Sequence, residues 1–514
     1  MKRDQLLDEL ASNETFDLVV IGGGATGAGI ALDAASRNYR VALIEREDFG
    51  SGTSSKSSKL VHGGVRYLAN GEFSLVKEAL RERSNLLNNA PHLVEALGFI
   101  IPTKNLYERC KYGVGLYLYD QLARDKQFDR SRGLSLVELE QTTKTLRLNE
   151  FTGAVRYSDA QFDDTRLLWD LVNQAHEHGA KVANYCEATA ITKTNGKVSG
   201  VEVLDVETDT LFNIKANAVV NATGAWSDEI GALDDPDDPN TIVPSQGTHI
   251  VVDKRFYPAD DALLIPRTSD GRVMFVIPWH GKVVIGTTDE KLASGSTEAT
   301  PTDKEIDLIL NTTADYLQTA PTREDISACF AGIRPLSAVG AGARTAKISR
   351  EHSIEVSHSG LITISGGKWT TYRLMAEHCV DMFEKVAQHS HRPCRTSTLL
   401  LAEASPNQKF SQYGQQAPQL LALSATPSTP DELLEGELTL TGAEVVWSVQ
   451  NEMARTLMDV LARRSRILFL DAGAAQTIAP KVAELMRKEL GKDSAWVAKQ
   501  LAAFHEQAKS FSLG

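Results

Sequence analysis

Hydrophobic and polar residues follow two periods along this chain, and their order predicts an α/β fold. Residues 18–21 form an unbroken apolar run, and residues 25–37 have the spacing of a buried helix. A second short run, residues 40–44, follows directly. A strand, a glycine turn, a helix and another strand in this order are typical of a βαβ unit in a parallel sheet.

The same periods predict further elements downstream. Residues 245–290 alternate apolar and polar side chains, which indicates an antiparallel sheet that forms a second domain. Residues 218–224 form a buried strand that ends in a small-residue turn, so the chain returns to the first sheet at its ligand-binding edge. Helices are predicted over residues 73–87, 163–178, 302–317 and 370–387, and shorter strands over 181–184, 198–206, 211–216 and 361–365.

The turn after the first strand has the glycine spacing of a dinucleotide-binding site. Gly22 permits the tight turn, Gly24 lets the backbone approach a pyrophosphate, and Gly27 lets the helix pack on the strand. Glu45 ends the second strand, twenty-three residues after Gly22, where a carboxylate accepts hydrogen bonds from a ribose. The fold class is therefore α/β, with a Rossmann-type domain.

The domain boundaries follow from the same pattern. An inserted antiparallel layer divides the nucleotide domain, and residues 405–430, rich in Pro, Ser and Gln, connect it to a C-terminal helical module. We expect a discontinuous nucleotide domain at residues 1–100, 150–245 and 340–390. The substrate domain then comprises residues 101–149 and 246–339, and the helical domain residues 395–514.

Composition excludes several function classes. The net charge of −13 argues against nucleic-acid binding, because neutralising a phosphate backbone requires a basic surface. Five scattered cysteines without metal-type spacing predict neither disulfides nor a metal site. The N-terminal residues have no signal-peptide pattern, and no apolar run is long enough to span a membrane.

Candidate chemistry begins in a glycine-containing loop. His62 precedes two glycines that let the loop approach a planar ligand closely. Arg66 offers a fork suited to phosphate or carboxylate, and Tyr67 adds a hydroxyl group. Three more cations, Arg334, Arg350 and Lys368, follow the inserted sheet and would complete a phosphate site if they converged. Each is also compatible with an ordinary surface ion pair, and His249 with a core histidine.

Together these motifs resemble the FAD-dependent, quinone-linked glycerol-3-phosphate dehydrogenases. The resemblance covers residues 15–385 and is weak beyond residue 395. It is carried by GGGATGAGIALDAASR, GTSSKSSKLVHGGVRYL, NAPHL, VVNATGAWS, GTHIVV, VIPW, IGTTD, GIRPL, ISREH and SGGKWTTYR.

The resemblance implies FAD as cofactor and assigns residues to it and to the substrate. Implied FAD-binding residues are Gly22, Gly24, Gly27, Glu45, Ser54, Ser57, Lys59, Leu60, Gly224, Gly367 and Lys368. Implied substrate residues are His62, Arg66, Tyr67, Arg334, Arg350, Lys368 and Thr370. We take His62 as the general base, because a free imidazole accepts a proton near neutral pH, with His249 in reserve and Arg334 stabilising the alkoxide.

The implied reaction oxidises sn-glycerol 3-phosphate to dihydroxyacetone phosphate and passes the electrons to a membrane quinone. The protein is then expected to be a cytoplasmic homodimer, attached peripherally to the inner face of the cytoplasmic membrane. Residues 463–470, three arginines followed by Ile-Leu-Phe-Leu, either contact anionic lipid or form a core helix. The alternatives are a flavin oxidase of glycerol 3-phosphate or of an amine, and a flavin-binding protein without turnover.

Overall fold

The structure, a computed structural model, describes most of the chain. It covers residues 1–513 except 70, 124–126, 238–240, 338–351, 406–407, 427–428, 430–431 and 435–437. No helix among the described residues has the length and apolar character needed to cross a membrane.

Strands and helices alternate through the first two thirds of the chain, and helices dominate the last third. The strands are β1 Thr15–Ile21, β2 Val41–Ile44, β3 Leu60–Val61, β4 Val94–Thr103, β5 Arg132–Leu134, β6 Gly153–Phe162, β7 Lys181–Ala183, β8 Cys186–Thr194, β9 Lys197–Asp205, β10 Thr210–Asn221, β11 Ile242–Asp253, β12 Ala262–Ile265, β13 Met274–Trp279, β14 Lys282–Gly286, β15 Glu290–Lys291, β16 Ile326–Ser337, β17 His352–Val356 and β18 Ile362–Gly366. The α-helices are α1 Arg3–Leu10, α2 Ala25–Ser36, α3 Val65–Ala69, α4 Phe73–Asn89, α5 Leu106–Ala123, α6 Leu136–Thr142, α7 Asp164–Glu177, α8 Ser227–Asp234, α9 Asp303–Ala314, α10 Tyr372–Val386, α11 Ala417–Ser424, α12 Gly442–Asn451, α13 Ile467–Leu470, α14 Ala472–Glu489 and α15 Ser494–Ala508.

The first sheet has eight strands, and its centre is the predicted parallel sheet. Strands β18, β10, β1, β2 and β7 lie side by side and pair in parallel. Strands β8 and β9 extend it as an antiparallel meander from β10. Helices α2, α7 and α10 cover one face with a continuous apolar core. The Rossmann-type prediction is confirmed.

Gly27 explains how closely α2 approaches the first strand. A Cβ atom at this position would lie 1.8 Å from the carbonyl oxygen of Gly22, so only glycine fits. At Gly22, φ is +108°, and a Cβ atom there would lie 2.7 Å from the carbonyl oxygen of Ala222 at the end of β10. The two glycines bring the turn, the helix and the neighbouring strand within contact distance.

The second sheet has ten strands and is antiparallel except where β12 pairs with β4. Its longest pair is β11 with β16, which runs from Ile242 opposite Ser337 to Val252 opposite Ile326, with a shift in register between Val251 and Val252. Strands β3, β4 and β6 also belong to this sheet, although the predicted boundaries assign them in whole or large part to the nucleotide domain. A short apolar run predicts a strand but not the strands with which it pairs. These three strands pair across the predicted domain boundary.

The C-terminal helices pack on the second sheet and share its core. The Phe330 ring of β16 meets the Phe469 ring of α13 edge to face, with centroids 5.0 Å apart. Buried ion pairs reinforce this contact: Arg464 Nη1 lies 2.7 Å from Asp48 Oδ2, and Arg466 Nε lies 2.7 Å from Asp163 Oδ2. The helical domain therefore forms ion pairs with the nucleotide domain and also packs on the second sheet.

This packing decides between the two interpretations of residues 463–470. Arg463, Arg464 and Arg466 are buried in ion pairs, and the four apolar residues that follow are buried in the core. The segment cannot contact a lipid surface without unfolding, so the lipid interpretation of it is wrong and the core interpretation is confirmed. Sequence could not separate the two, because the partners Asp48 and Asp163 lie hundreds of positions away.

Candidate active site

Two cavities meet at the carboxyl ends of the parallel strands. The smaller, about 490 Å³, lies over β1, β2 and β10. The larger, about 1420 Å³, extends from there along the second sheet. Ligand sites of open α/β sheets lie at this edge. Both cavities are lined by Thr53, Pro335, Gly367, Lys368 and Trp369.

The smaller cavity contains the predicted nucleotide residues. Gly22, Gly24, Glu45 and Gly224 line it, and Gly27 supports it from within α2. The Glu45 carboxylate is held at its edge by the amides of Gly23, at 2.6 Å, and Glu47, at 2.9 Å. Burial raises the pKa of Glu45 above its ordinary value, although these two amides oppose the shift.

The serine-rich loop at 51–59 lies between the cavities. Ser54 lines the smaller cavity, and its Oγ accepts a hydrogen bond of 2.9 Å from the amide of Ala25. Ser57 and Leu60 line the larger one, and Ser57 Oγ donates to Asp164 at 2.6 Å.

Lys59, like Gly27, belongs to the predicted cofactor set but lines neither cavity. Its side chain is fully buried, and Nζ lies 2.7 Å from Asp164 Oδ2. The ammonium group also donates to the carbonyl oxygen of Ser55. The prediction that Lys59 lines the flavin side therefore needs correction: its side chain secures the loop to α7.

Four predicted substrate residues line the polar end of the larger cavity. Lys368 Nζ lies 3.8 Å from the centroid of the Tyr67 ring, a cation–π contact. Thr370 Oγ1 accepts a hydrogen bond of 3.3 Å from the amide of His62, which fixes the start of the glycine loop. Residues from α3, from the loop after β3 and from the segment after β18 thus reach one wall.

Arg334 lines the same cavity from β16, and neighbouring side chains hold its guanidinium group. Its Nη2 donates to Thr287 Oγ1 and to the carbonyl oxygen of Thr288, both at 3.1 Å. Its Nη1 lies 3.4 Å from Asp289 Oδ1, and Arg272 Nη1 lies 3.5 Å from the other oxygen of that carboxylate. One carboxylate therefore links two arginines on the cavity wall.

His249 lies behind the wall, and the structure does not bring it to either cavity. Its ring is buried and stacks on Phe330 with centroids 4.9 Å apart, and Nε2 is 2.8 Å from Ser58 Oγ. Burial, with smaller effects from Arg334 and Lys59, lowers the pKa of His249 to about 3. A neutral imidazole in the core is a poor general base, so the reserve assignment needs correction.

Two predicted substrate residues cannot be placed. Arg350 and the side chain of Arg66 lie outside the described residues.

The chain is similar to two families of known proteins. A family described as FAD dependent oxidoreductase matches residues 17–373, and one described as the C-terminal domain of alpha-glycerophosphate oxidase matches residues 360–497. The mitochondrial glycerol-3-phosphate dehydrogenase of Mesocricetus auratus is 38% identical over 95% of this chain and 72% of its own length. The corresponding enzyme of Saccharomyces cerevisiae is 38% identical over 95% of this chain and 88% of its own length. This chain belongs to the FAD-dependent glycerol-3-phosphate dehydrogenases.

A solved structure supports this membership. The glycerol-3-phosphate dehydrogenase of Bacillus halodurans, described as complexed with FAD, superposes with a TM-score of 0.81 at 28% identity. The match covers 99% of this chain and 97% of that one. The predicted family, cofactor and fold class are confirmed.

The residues of the smaller cavity fit the FAD of this dehydrogenase family. Gly24 is the N-cap of α2, so backbone amides at a helix N-terminus face the cavity where a pyrophosphate needs donors. Gly224 has φ +61°, and among the described residues only Pro335 Cγ, at 3.9 Å, would approach a Cβ atom there. This open backbone leaves room for a flat ring beside Gly367, which lines both cavities.

Three polar residues of this candidate site were not singled out by the sequence analysis: Arg272, Ser58 and Asp289. All three line the larger cavity. A weak signal existed for Arg272, because a cation directly precedes the alternating strand at 273–277. The pairing of Asp289 with two arginines depends on sheet register, which no local pattern shows.

Proposed function

We propose that the protein binds sn-glycerol 3-phosphate in the larger cavity and oxidises it there to dihydroxyacetone phosphate. In this proposal a membrane quinone is the final electron acceptor. One observation carries the proposal. Arg334, Lys368 and His62 line a single cavity that shares a wall with the nucleotide cavity. The reacting carbon and the cofactor ring can therefore meet at the shared wall.

The cationic end of the cavity suits a phosphate dianion. Arg334 presents a planar fork that matches two phosphate oxygens, and Lys368 adds a point charge from the neighbouring segment. Arg272 contributes a third cation, and Asp289 offsets part of the repulsion before substrate arrives. When the phosphate dianion binds, the cationic side chains pair with it, and this pairing offsets the repulsion between them.

We assign the role of general base in the proposed reaction to His62. FAD bound in the smaller cavity would supply the acceptor for the hydride that leaves C2 of the substrate. The proton of the C2 hydroxyl must go to a base at the same time, and His62 is the histidine that lines the cavity. Tyr67 and Thr370 line the same wall and orient the substrate. A positioned general base contributes about 10²–10⁴ in rate.

The outer end of the larger cavity supports an apolar electron acceptor. Its lining there includes the apolar residues Phe73, Val114 and Leu118, beside the charged residues Lys104, Glu108 and Lys111. A quinone is poorly soluble in water, so we also propose a protein attached peripherally to the inner face of the cytoplasmic membrane. The homodimer stays a prediction.

Anaerobic mixing with sn-glycerol 3-phosphate tests the proposal. The absorbance of oxidised flavin near 450 nm should be lost within the mixing experiment, whereas glycerol should leave it nearly unchanged. A flavin that stays oxidised would contradict the proposal and favour a binding protein without turnover. An amine oxidase is already excluded by membership of the family.

A second measurement separates the dehydrogenase from a glycerol-3-phosphate oxidase. The reduced protein is mixed with air-saturated buffer, and in parallel with a short-chain quinone. Rapid reoxidation by quinone with little hydrogen peroxide supports the proposal. Stoichiometric peroxide, formed as fast as substrate is consumed, would instead identify an oxidase.

A further inference from the structure

A buried polar cluster lies directly behind the glycine loop that carries His62. It comprises Arg83 of α4, Tyr119 of α5 and Asp159 of β6, and each of these side chains is only 1% exposed. Among the residues that the structure describes, none of these three lines either cavity. Charged and hydroxyl groups lose hydration when they are buried, and a buried ion pair adds little net stability. The cluster therefore has a role other than filling the core.

The Asp159 carboxylate joins the cluster together. Its Oδ1 accepts a hydrogen bond of 2.6 Å from Arg83 Nη1 and one of 2.8 Å from the Tyr119 hydroxyl. Its Oδ2 lies 2.9 Å from the same hydroxyl. Burial, followed by the nearby Asp159 charge, raises the pKa of Tyr119 well above its ordinary value, so the hydroxyl keeps its proton. Because that proton is donated to Asp159, the lone pairs of the hydroxyl oxygen accept from another donor.

That donor is the backbone amide of Gly63. Its nitrogen lies 2.9 Å from Tyr119 Oη and 3.4 Å from Asp159 Oδ1. A Cβ atom at position 63 would lie 2.5 Å from Tyr119 Oη, so the backbone can approach the hydroxyl this closely only without a side chain. The loop is thus tied to the buried cluster through its main chain.

Distant side chains hold the amides on both sides of the His62 Cα atom. The His62 amide donates to Thr370 Oγ1 at 3.3 Å, and the Gly63 amide donates to Tyr119. A peptide unit is planar, so two fixed peptide units leave the Cα atom between them little freedom in φ and ψ. The direction of the Cα–Cβ bond of His62 is then fixed, and with it the point from which the imidazole reaches into the larger cavity.

We propose that Tyr119 is a positioning residue for the oxidation of glycerol 3-phosphate. Its hydroxyl, oriented by Asp159, holds the Gly63 amide and thereby keeps the His62 imidazole where it can accept the proton of the substrate hydroxyl. The proposal rests on the role of general base that is assigned above to His62. Tyr119 itself acts from behind the cavity wall and contacts the loop, not the substrate.

Tyr119→Phe in the FAD-loaded protein tests this role, because it removes one hydroxyl and leaves the Arg83–Asp159 ion pair in place. Flavin reduction at saturating glycerol 3-phosphate should slow about 10- to 100-fold, since a small displacement of a catalytic group lowers the rate steeply. The substrate affinity from the same stopped-flow series should change less than about twofold, because Arg334 is held by residues outside this cluster.

Tyr39→Phe is the matched control. Tyr39 is 3% exposed, and its hydroxyl donates to a carboxylate oxygen, Glu384 Oε1, at 3.0 Å. Tyr39 lies outside the lining of both cavities. The control therefore loses a buried hydrogen bond of the same kind, yet it should be reduced at the wild-type rate.

A double variant shows whether Tyr119 acts through His62. If it does, adding Tyr119→Phe to His62→Ala should slow flavin reduction by less than about twofold further, because the group that Tyr119 positions is already absent. Hydrogen exchange provides a measurement without turnover. Amides in a peptide that spans residues 60–67 should exchange at least about tenfold faster in Tyr119→Phe than in Tyr39→Phe.

The proposal is overturned if Tyr119→Phe is reduced as fast as Tyr39→Phe, or if its substrate affinity falls as much as its rate. It is also overturned if the two losses multiply in the double variant, or if exchange over residues 60–67 is unchanged. A wild type that glycerol 3-phosphate does not reduce would instead contradict the proposed function. Hydrogen exchange would then still show whether the Tyr119 hydroxyl holds the loop, so the two failures are distinguishable.

Discussion

Asp289 Oδ1 lies 3.4 Å from Arg334 Nη1, and the same carboxylate ion-pairs with Arg272 on its other oxygen. Ser245 donates a further hydrogen bond to it. The carboxylate is nearly buried, so these contacts fix its position. The Asp289 carboxylate carries a negative charge in a cavity that is proposed to bind a dianion. We infer that its role is to hold the guanidinium groups of Arg334 and Arg272 on one wall.

We expect Asp289→Asn to raise KM for glycerol 3-phosphate about tenfold and to change kcat less than about twofold. The amide keeps an acceptor for Ser245, but without the charge the two arginines repel and Arg334 loses its orientation. Steady-state kinetics with a soluble dye as acceptor measures both constants. The FAD content and the urea unfolding midpoint of the variant are the controls, and a loss in either would show general damage.

Arg334→Lys should weaken substrate binding by at least about tenfold, because a lysine loses the two-pronged geometry at a phosphate. A spectroscopic titration with dihydroxyacetone phosphate gives the affinity without turnover. Arg323→Lys is the control, since Arg323 forms exposed ion pairs outside both cavities. Unchanged affinity in Arg334→Lys would remove Arg334 from the phosphate site.

His62→Ala should slow anaerobic flavin reduction by about 10²–10⁴ while FAD remains bound, because the C2 hydroxyl loses its proton acceptor. Stopped-flow absorbance measures the rate, and the flavin spectrum reports cofactor content. Small added imidazoles should restore part of the rate. A normal rate in the variant would assign the base elsewhere.

His249 should make the protein less stable in mild acid. Its pKa is about 3 in the folded state, so a folded molecule keeps it neutral while the unfolded chain protonates below about pH 6.5. The unfolded state then binds more protons, and the free energy of unfolding falls by about 2 kcal/mol between pH 7 and pH 5. Urea unfolding at both values should show this loss in the wild type and not in His249→Gln. Equal losses would contradict the assignment.

Arg464→Ala should destabilise the protein by about 3–5 kcal/mol, because it leaves the buried Asp48 carboxylate without one of its two arginine partners. Asp48 lies between Glu47 and Gly50, which line the nucleotide cavity, so FAD affinity should fall as well. Arg487→Ala, which breaks an exposed ion pair with Glu484, should cost less than about 0.5 kcal/mol. Fluorescence of released FAD on heating compares the two variants.

The sequence pattern predicted those helices and strands that are determined by residues close together in the chain. The helix predicted over residues 25–37 is Ala25–Ser36, and the strand predicted over 361–365 is Ile362–Gly366. Glycine spacing, apolar runs and the terminal acid all lie within one βαβ unit. The separate strands predicted over 211–216 and 218–224 are instead one strand, Thr210–Asn221, because pairing with β9 and then with β1 keeps the backbone extended.

Contacts between residues that lie far apart in the chain could not be predicted from the sequence. The Arg334–Asp289 contact depends on how β16 pairs with β11, and α5 has apolar spacing that looks like an ordinary core helix. Which side of a helix is covered depends on its neighbours and not on its own residues. The arginines at 463–466 are the converse case, since a basic cluster that suggests a surface is buried against distant acids.

The bonds between Asp48 and the two arginines at 463 and 464 also affect how the protein is made. The ribosome synthesises the loop beside the nucleotide cavity more than four hundred residues before the side chains that secure it. We therefore expect the cofactor pocket of a nascent chain to lack these bonds until residues 463 and 464 have been synthesised. Products that terminate before these residues should accumulate with less bound flavin than the full chain.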